Sequence, residues 1–263
     1  MSQERRYSFE FFPTKTEAGH EKLMTVARQL ATYNPDFFSC TYGAGGSTRD
    51  RTLNTVLQLN NDIGVSTAPH LSCVGDSKAE LRELLNLYKN AGINRIVALR
   101  GDLPSGMGMA SGELRYANEL VAFIREETGD HFHIEIAAYP EMHPQARNFE
   151  DDIANFVRKA KAGASSAITQ YFFNADSYFY FVERIHQLGV DIPVVPGSCR
   201  SPTTANWRVS PMPAAPRSHA GCASSWRPTA TTATASAPTA SRWSRRCANA
   251  CCRAVLRGCT STA

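Results

Sequence analysis

Tryptophan is absent from the first 197 residues, and cysteine is scarce there, with only Cys40 and Cys73. That scarcity excludes a disulfide framework for this part of the chain. No apolar run reaches the ~18 residues of a membrane helix, so no spanning helix is expected. The opening MSQERRYSFEFF has neither a long apolar h-region nor a small-residue cleavage site, which argues against a secretory signal and for the cytoplasm. Residues 198–263 lack a different set: Lys, Asp, Glu, Ile, Phe, Tyr and Gln. All 24 acidic residues therefore precede residue 198, against 19 Lys and Arg, a net of −5; the nine arginines beyond contribute +9, which gives the overall +4. The basic character belongs to the tail alone and gives no footing to a nucleic-acid reading of the whole chain.

What is present suits a single α/β barrel: 263 residues with 43% hydrophobic content. Strand-length apolar runs recur at 7–13, 36–44, 65–73, 95–102, 133–141, 166–173 and 192–197, each bounded by Gly, Pro or polar residues. Helical patterns lie between most of them. Glu21–Tyr33 carries Leu23, Val26, Leu30 and Tyr33 near helical period. Ser77–Ala91 opens with Ser77 and Glu80 as a capping box and shows Leu81, Leu84, Leu85 and Tyr88 on one face. Tyr116–Glu127, Phe149–Ala162 and Ser177–Leu188 repeat the pattern, and Gly92, Gly163 and Gly189 close three helices. Strands alternating with helices predict a parallel sheet, either doubly wound or a (β/α)8 TIM barrel. Glu10, Thr41, His70, Arg100, Asp102, Tyr139 and Gln170 fall at or near strand C-terminal ends. Nearly every strand delivers one, which favours a barrel rim over a single switch point.

Glu10 lies inside the apolar run FEFF. It is either a carboxylate on a solvated edge or an acid kept neutral by a pocket, and the latter makes a general acid. Arg100 and Asp102, in LRGD, either pair with each other or serve a ligand at the Gly-rich segment that follows. That segment is not a GxGxxG opening a helix, so a dinucleotide fingerprint is not supported. His70, His143, Glu141 and Asp102 could suggest a metal, yet none of them pair at helical i,i+4 spacing; hydrogen bonding to a ligand is the preferred reading. Gln170 cannot act as acid or base but can hold a heterocycle through its amide, and the neighbouring Phe172–Phe173 pair reads as core. Asp152, Asn155, Arg158 and Lys159 share one predicted helix, either as a solvated charged face or as a grip on phosphate or ribose.

The strings FEFFP, CTYGAGGS, APHLSC, IVALRGDLP, AAYPEMHP, AGASSAITQYFFN and VVPG, in this order, resemble the bacterial methylenetetrahydrofolate reductase family. Thr14 stands where the family usually has a second proline. The resemblance implies a barrel holding non-covalent FAD. It implies ping-pong hydride transfer from NADH or NADPH through flavin to methylenetetrahydrofolate, giving methyltetrahydrofolate. Carried over, Glu10 would be the general acid that helps open the folate imidazolidine ring, and Asp102 the second catalytic residue, beside flavin and pterin. Thr41, Asp102 and Gln170 would contact substrate. Thr41, Tyr42, Ala44, His70, Arg100, Gly101, Asp102, Ala117, Tyr139, His143, Asp152, Asn155, Arg158 and Lys159 would hold FAD, with no metal. The implied partners are the folate substrate and, with an intact C-terminus, further copies of the chain; neither nucleic acid nor membrane is expected.

Residues 1–197 are therefore read as an FAD-binding barrel body, and 198–263 as an out-of-frame, low-complexity basic tail. The six tail cysteines match no zinc-finger spacing. With codons chosen within their degeneracy, a shifted frame starting from GGC for Gly197 reads LMPITNYGQL, then ARFSDACGAEIPRWMRK, AYGDD and, near the end, LHFYT. These are family-like strings in family order, and one base lost just after the Gly197 codon accounts for them. The consequence expected is a barrel incomplete at its last strand and helices, with a tail too poor in apolar residues to fold.

Overall fold

The computed structural model describes residues 7–42, 49–101 and 112–198. Seven strands run in chain order: β1 Ser8–Phe11, β2 Phe37–Cys40, β3 Thr67–Ser72, β4 Arg95–Leu99, β5 His133–Ala138, β6 Ser166–Thr169 and β7 Val194–Val195. Six helices connect them: α1 Glu17–Ala31, α2 Arg49–Ile63, α3 Lys78–Asn90, α4 Ala117–Thr128, α5 Phe149–Lys161 and α6 Ala175–Gln187. All neighbouring strands pair in parallel, in the order β1 to β7. This is an incomplete (β/α)8 barrel, whose edges among the described residues are β1 and β7. No helix among those residues is long and apolar enough to cross a membrane.

Strand alternation sorts side chains into two layers. Leu71, Ile96, Ala98, Ile134, Ile136, Ala138 and Ala167 pack outward against helix residues such as Leu81, Leu85, Leu120, Ile124 and Phe156. The alternate positions Phe37, Ala68 and Val97, with Leu99 and Ile168, pack against one another inside the barrel. The same alternation gives Glu10, Ser39, His70, Glu135, Ser166 and Gln170 to the interior face. Register fixes their heights, since Glu10 pairs with Ser39, Ser39 with Ala68, and Glu135 with both Val97 and Ser166.

Helix signals in the sequence act where expected. Ser77 Oγ accepts from Glu80 N at 3.3 Å while Ser77 N donates to Glu80 Oε2 at 2.8 Å, a complete capping box. Leu81, Leu84, Leu85 and Tyr88 are all buried beneath it. Gly92, Gly163 and Gly189 close their helices with φ of 76°, 117° and 74°.

Three readings need correction. Helix α1 begins at Glu17, capped by Thr16, and buries Leu23, Met24 and Ala27. Leu23 and Leu30 pack into the core as expected, but Val26 and Tyr33 are 39% and 63% exposed, because the buried stripe runs through Met24 and Ala27 and Tyr33 lies beyond the helix end. Helix α2 was not anticipated: its Asn, Asp and Thr content is poor for helix, yet Val56 and Leu59 are completely buried and tertiary packing holds it. Phe172 and Phe173 are not core. Phe173 is 58% exposed, and Phe172 stacks on Tyr178 with centroids 5.6 Å apart.

The N-terminal end of the barrel holds a buried charge that the sequence reading did not single out. Glu135 is 2% exposed. Arg95 pairs with one of its carboxylate oxygens, Ser166 Oγ donates to the other at 2.6 Å, and His133 Nε2 lies 3.3 Å away. Arg95 also covers the Phe37 ring, 4.3 Å from its centroid. Burial alone would raise the Glu135 pKa; the hydrogen bonds from His133 and Ser166 and the Arg95 charge outweigh it and hold the group below the usual carboxylate range.

Candidate active site at the strand C-terminal rim

Several of the expected site residues meet near the C-terminal ends of the strands, in two groups. Ala44 and Asp102 lie outside the described residues.

The first group belongs to β1, β2 and β3. Glu10 points inward with half of its side chain exposed, and burial raises its pKa. Its Oε2 lies 3.4 Å from His70 Nε2. His70 is 7% exposed, and burial pushes its pKa down to about 4. The contact is close but not aligned as a hydrogen bond, so Nε2 has no hydrogen-bond partner among the described residues. Thr41 follows β2, held by its N–H donating to Phe11 O at 2.9 Å and its carbonyl accepting from Thr52 Oγ1 at 3.1 Å. Tyr42 donates to Asp76 Oδ2 at 3.4 Å.

The second group belongs to β4, β5 and α5 and forms one connected chain of contacts. Arg100 Nη2 donates to Gln145 Oε1 at 2.5 Å, and Gln145 N donates to His143 Nδ1 at 3.0 Å. The His143 ring meets Tyr139 edge-on at 4.5 Å, and His143 N donates to Asp152 Oδ2 at 2.8 Å. Lys159 extends from the far end of α5 so that Nζ donates to Ala137 O at 2.5 Å. Burial pushes Lys159 down to about 8, opposed by the Asp152 charge, and burial raises Asp152 against the His143 N–H and the Lys159 charge. Met142 precedes His143 with φ of 74°, a strained conformation for a side-chain-bearing residue.

Gly101, at the end of β4, leaves no room for a side chain. Its φ is +87°, and a Cβ there would meet Ser72 Oγ at 1.9 Å. Ser72 Oγ donates to Arg100 O at 2.8 Å, which ties the end of β4 to β3. Gln145 and Ser72 were missed from sequence. Gln145, two residues past His143, carried a detectable signal; a serine inside a strand did not.

Other expected residues join neither group. Asn155 and Arg158 are exposed on α5 and bond each other at 2.5 Å. Ala117 is the first residue of α4. Gln170 is exposed at the end of β6, its Oε1 accepting from Tyr171 N at 3.0 Å. Glu141 caps the segment before α6, accepting from Phe173 N and Asn174 N at 2.9 and 2.8 Å.

The rim thus carries an acid with a raised pKa, an imidazole whose pKa burial lowers, and a lysine brought down to about 8. A family model described as methylenetetrahydrofolate reductase matches residues 1–201. The chain is 42% identical over 190 residues to 5,10-methylenetetrahydrofolate reductase of Escherichia coli (strain K12), covering 72% of this chain and 62% of that one. The corresponding protein of Pectobacterium carotovorum subsp. carotovorum is 43% identical over the same shares. The alignment therefore spans under two thirds of those relatives. Among solved structures, a phosphonopyruvate hydrolase complex with oxalate and Mg++ aligns with a TM-score of 0.52 at 10% identity, over 73% of this chain and 67% of that one, which bears on the fold alone.

Proposed function

The chain belongs to the methylenetetrahydrofolate reductase family, and from that premise we propose that residues 1–197 form a barrel body that binds FAD and reduces 5,10-methylenetetrahydrofolate to 5-methyltetrahydrofolate with NADH or NADPH. The observation that carries this reading is the convergence at one rim of the linked Arg100–Gln145–His143–Asp152 chain with the Glu10–His70 pair. The donor set suits a flavin dinucleotide: the polar groups Arg100, His143 and Lys159, and a buried imidazole nitrogen at His70 without a hydrogen bond among the described residues. Thr41, Tyr42, Ala44, Asp102, Ala117, Tyr139, Asp152, Asn155 and Arg158 complete the proposed contacts. When bound, FAD supplies the hydride relay.

The chain's own residues supply the proton and the orientation. Glu10 donates to the folate nitrogen whose release opens the ring, and burial, which raises its pKa, favours the protonated form that can donate. Asp102 acts beside it. Thr41, Asp102 and Gln170 position the substrate, with Gln170 able to trade its bond to Tyr171 N for a heterocycle edge. One-carbon metabolism in the cytoplasm follows from this reading, as a homo-oligomer where the C-terminus is intact.

Residues 198–263 are proposed to be an out-of-frame translation that impairs this particular chain. The acid-free composition of the tail and the end of the family match at residue 201 support that view. Sequencing the source DNA across codons 195–200 tests it: an extra base there restores the family reading, and an unchanged frame in independent reads makes the tail genuine. The catalytic reading is tested by adding FAD, then NADH without oxygen, to this chain and to a frame-restored one. A yellow complex that bleaches is expected of the restored chain, and its failure to bind flavin refutes the proposal.

A further inference from the structure

Glu10 and His70 come from different strands and meet at the rim. Glu10 on β1 is level with Ser39, and Ser39 with Ala68 on β3; His70 is the next interior position along β3. Their nearest atoms, Glu10 Oε2 and His70 Nε2, are 3.4 Å apart. Nε2 is enclosed and lacks a hydrogen bond among the described residues, whereas Glu10 keeps half its side chain open to solvent and substrate. A small rotation of the carboxyl group gives Nε2 its partner, and buried polar nitrogens in native folds are seldom left without one.

We propose that His70 Nε2 is the acceptor that holds the Glu10 carboxyl group protonated and aimed at the rim, so that His70 is a positioning residue for the acid beyond any contact it makes with a cofactor. This deepens the reductase reading and rests on it for the destination of the proton. Geometry leaves two arrangements, carboxylic acid donating to imidazole or imidazole donating to carboxylate. Burial of both groups favours the first. It raises Glu10 and brings His70 down to about 4, which disfavours an ion pair and leaves a neutral ring whose own proton sits on Nδ1. Cys40, the described thiol that feels the Glu10 charge, is pushed up to about 12, first by burial, and stays neutral. For the step itself the Glu10 O–H turns from Nε2 to the open side of the carboxyl group, and that O–H bond breaks as an N–H bond forms on substrate. The carboxylate regains a proton from solvent through its exposed half and donates it to Nε2 again, so that His70, with its own proton on Nδ1, is the resting acceptor and never the proton source.

The test is nitrogen NMR of the full chain carrying 15N-labelled histidine, with His70→Gln to assign the signal. At neutral pH the wild-type Nε2 is expected to be pyridine-type and Nδ1 pyrrole-type. Glu10→Gln, whose amide still donates, keeps that tautomer, and Glu10→Leu, with no donor, releases it to a mixture. A pyrrole-type Nε2 in the wild type, or identical tautomer populations in wild type and Glu10→Leu, overturns the proposal. The two readings fail separately. The expected tautomer in a frame-restored chain that reduces no flavin upholds the pair and removes the reductase reading, whereas flavin reduction with a pyrrole-type Nε2 does the reverse.

Discussion

Replacing Arg95 by Met leaves Glu135 as a carboxylate that is 2% exposed with its cation gone. Ser166 Oγ and His133 still approach it, but the Arg95 contact and its packing over Phe37 are lost. Breaking one partner of a buried ion pair costs about 3–5 kcal/mol. At about 2–4 °C per kcal/mol for a chain of this size, the midpoint should fall by roughly 6–20 °C. Replacing both partners, Arg95→Met with Glu135→Leu, removes the stranded charge and should recover most of that loss.

The pH dependence supplies the sign. Wild-type Glu135 is held below its ordinary pKa in the fold, so its contribution is present above the unfolded value and is lost as acid carries the pH down through the folded one. Without Arg95 one of the groups that hold Glu135 down is gone while burial still raises it, so its folded pKa moves up and less of that contribution remains. The deficit of Arg95→Met is thus greatest at neutral pH and shrinks as Glu135 is protonated. Urea titrations of wild type, both single variants and the double variant, at neutral pH and near pH 4, measure it. A neutral-pH loss below about 1 kcal/mol, the range of exposed ion pairs, or a deficit unchanged by acid, refutes the reasoning.

In the frame-restored chain, Glu10→Gln should retain flavin binding and lower folate reduction by about 10²–10⁴-fold, the usual contribution of a general acid; an unchanged rate in steady-state assays counts against Glu10 as the acid. Gly101→Ala should destabilise the fold by about 1–3 kcal/mol through its positive φ, with a further clash at Ser72, read from thermal melts and flavin titration. Lys159→Met should flatten the pH–stability curve. With Lys159 brought down to about 8 from 10.5, the wild-type fold gains stability as pH rises between those values, and denaturant midpoints across that window should show the slope only in wild type.

The alternation of apolar runs was enough to place all seven strands and their parallel pairing, because buried parallel strands carry dense apolar segments between helices. Capping chemistry located α3 almost to the residue, since Ser77 and Glu80 satisfy each other's backbone whatever surrounds them. Helix α2 escaped because its burial depends on partners distant in sequence: Leu59 packs with Phe11, Leu23 and Phe38. The Glu10–His70 contact was equally invisible as a pair, for it spans three strands and exists only through register. Both residues were nevertheless legible singly, as polar side chains at the ends of apolar runs. Asn155 and Arg158 shared a predicted helix with Asp152 and Lys159, but periodicity could not tell which members of that set turn toward β5; the structure links Asp152 and Lys159 to the rim and leaves the other two bonded to each other.

The two ends of the barrel differ in how their polar groups are satisfied, and this difference bears on which end suits a ligand. A cavity of about 570 Å³ opens at the N-terminal end, lined by Asp36, Asn94, Arg95, Arg125, His131 and His133. Its cations are already engaged. Arg125 donates to Gly163 O, Gly129 O, Phe132 O and Ser165 Oγ, while Arg95 is held by Glu135 and Phe37. A ligand there would have to displace bonds that hold the strands and loops in place. At the C-terminal rim Arg100 and Lys159 are engaged as well, but His70 Nε2 lacks a hydrogen bond among the described residues, Glu10 is half open, and Met142 is strained. Unsatisfied polar capacity and stored strain are what a ligand can exploit, and both are found at the rim where βα loops build active sites.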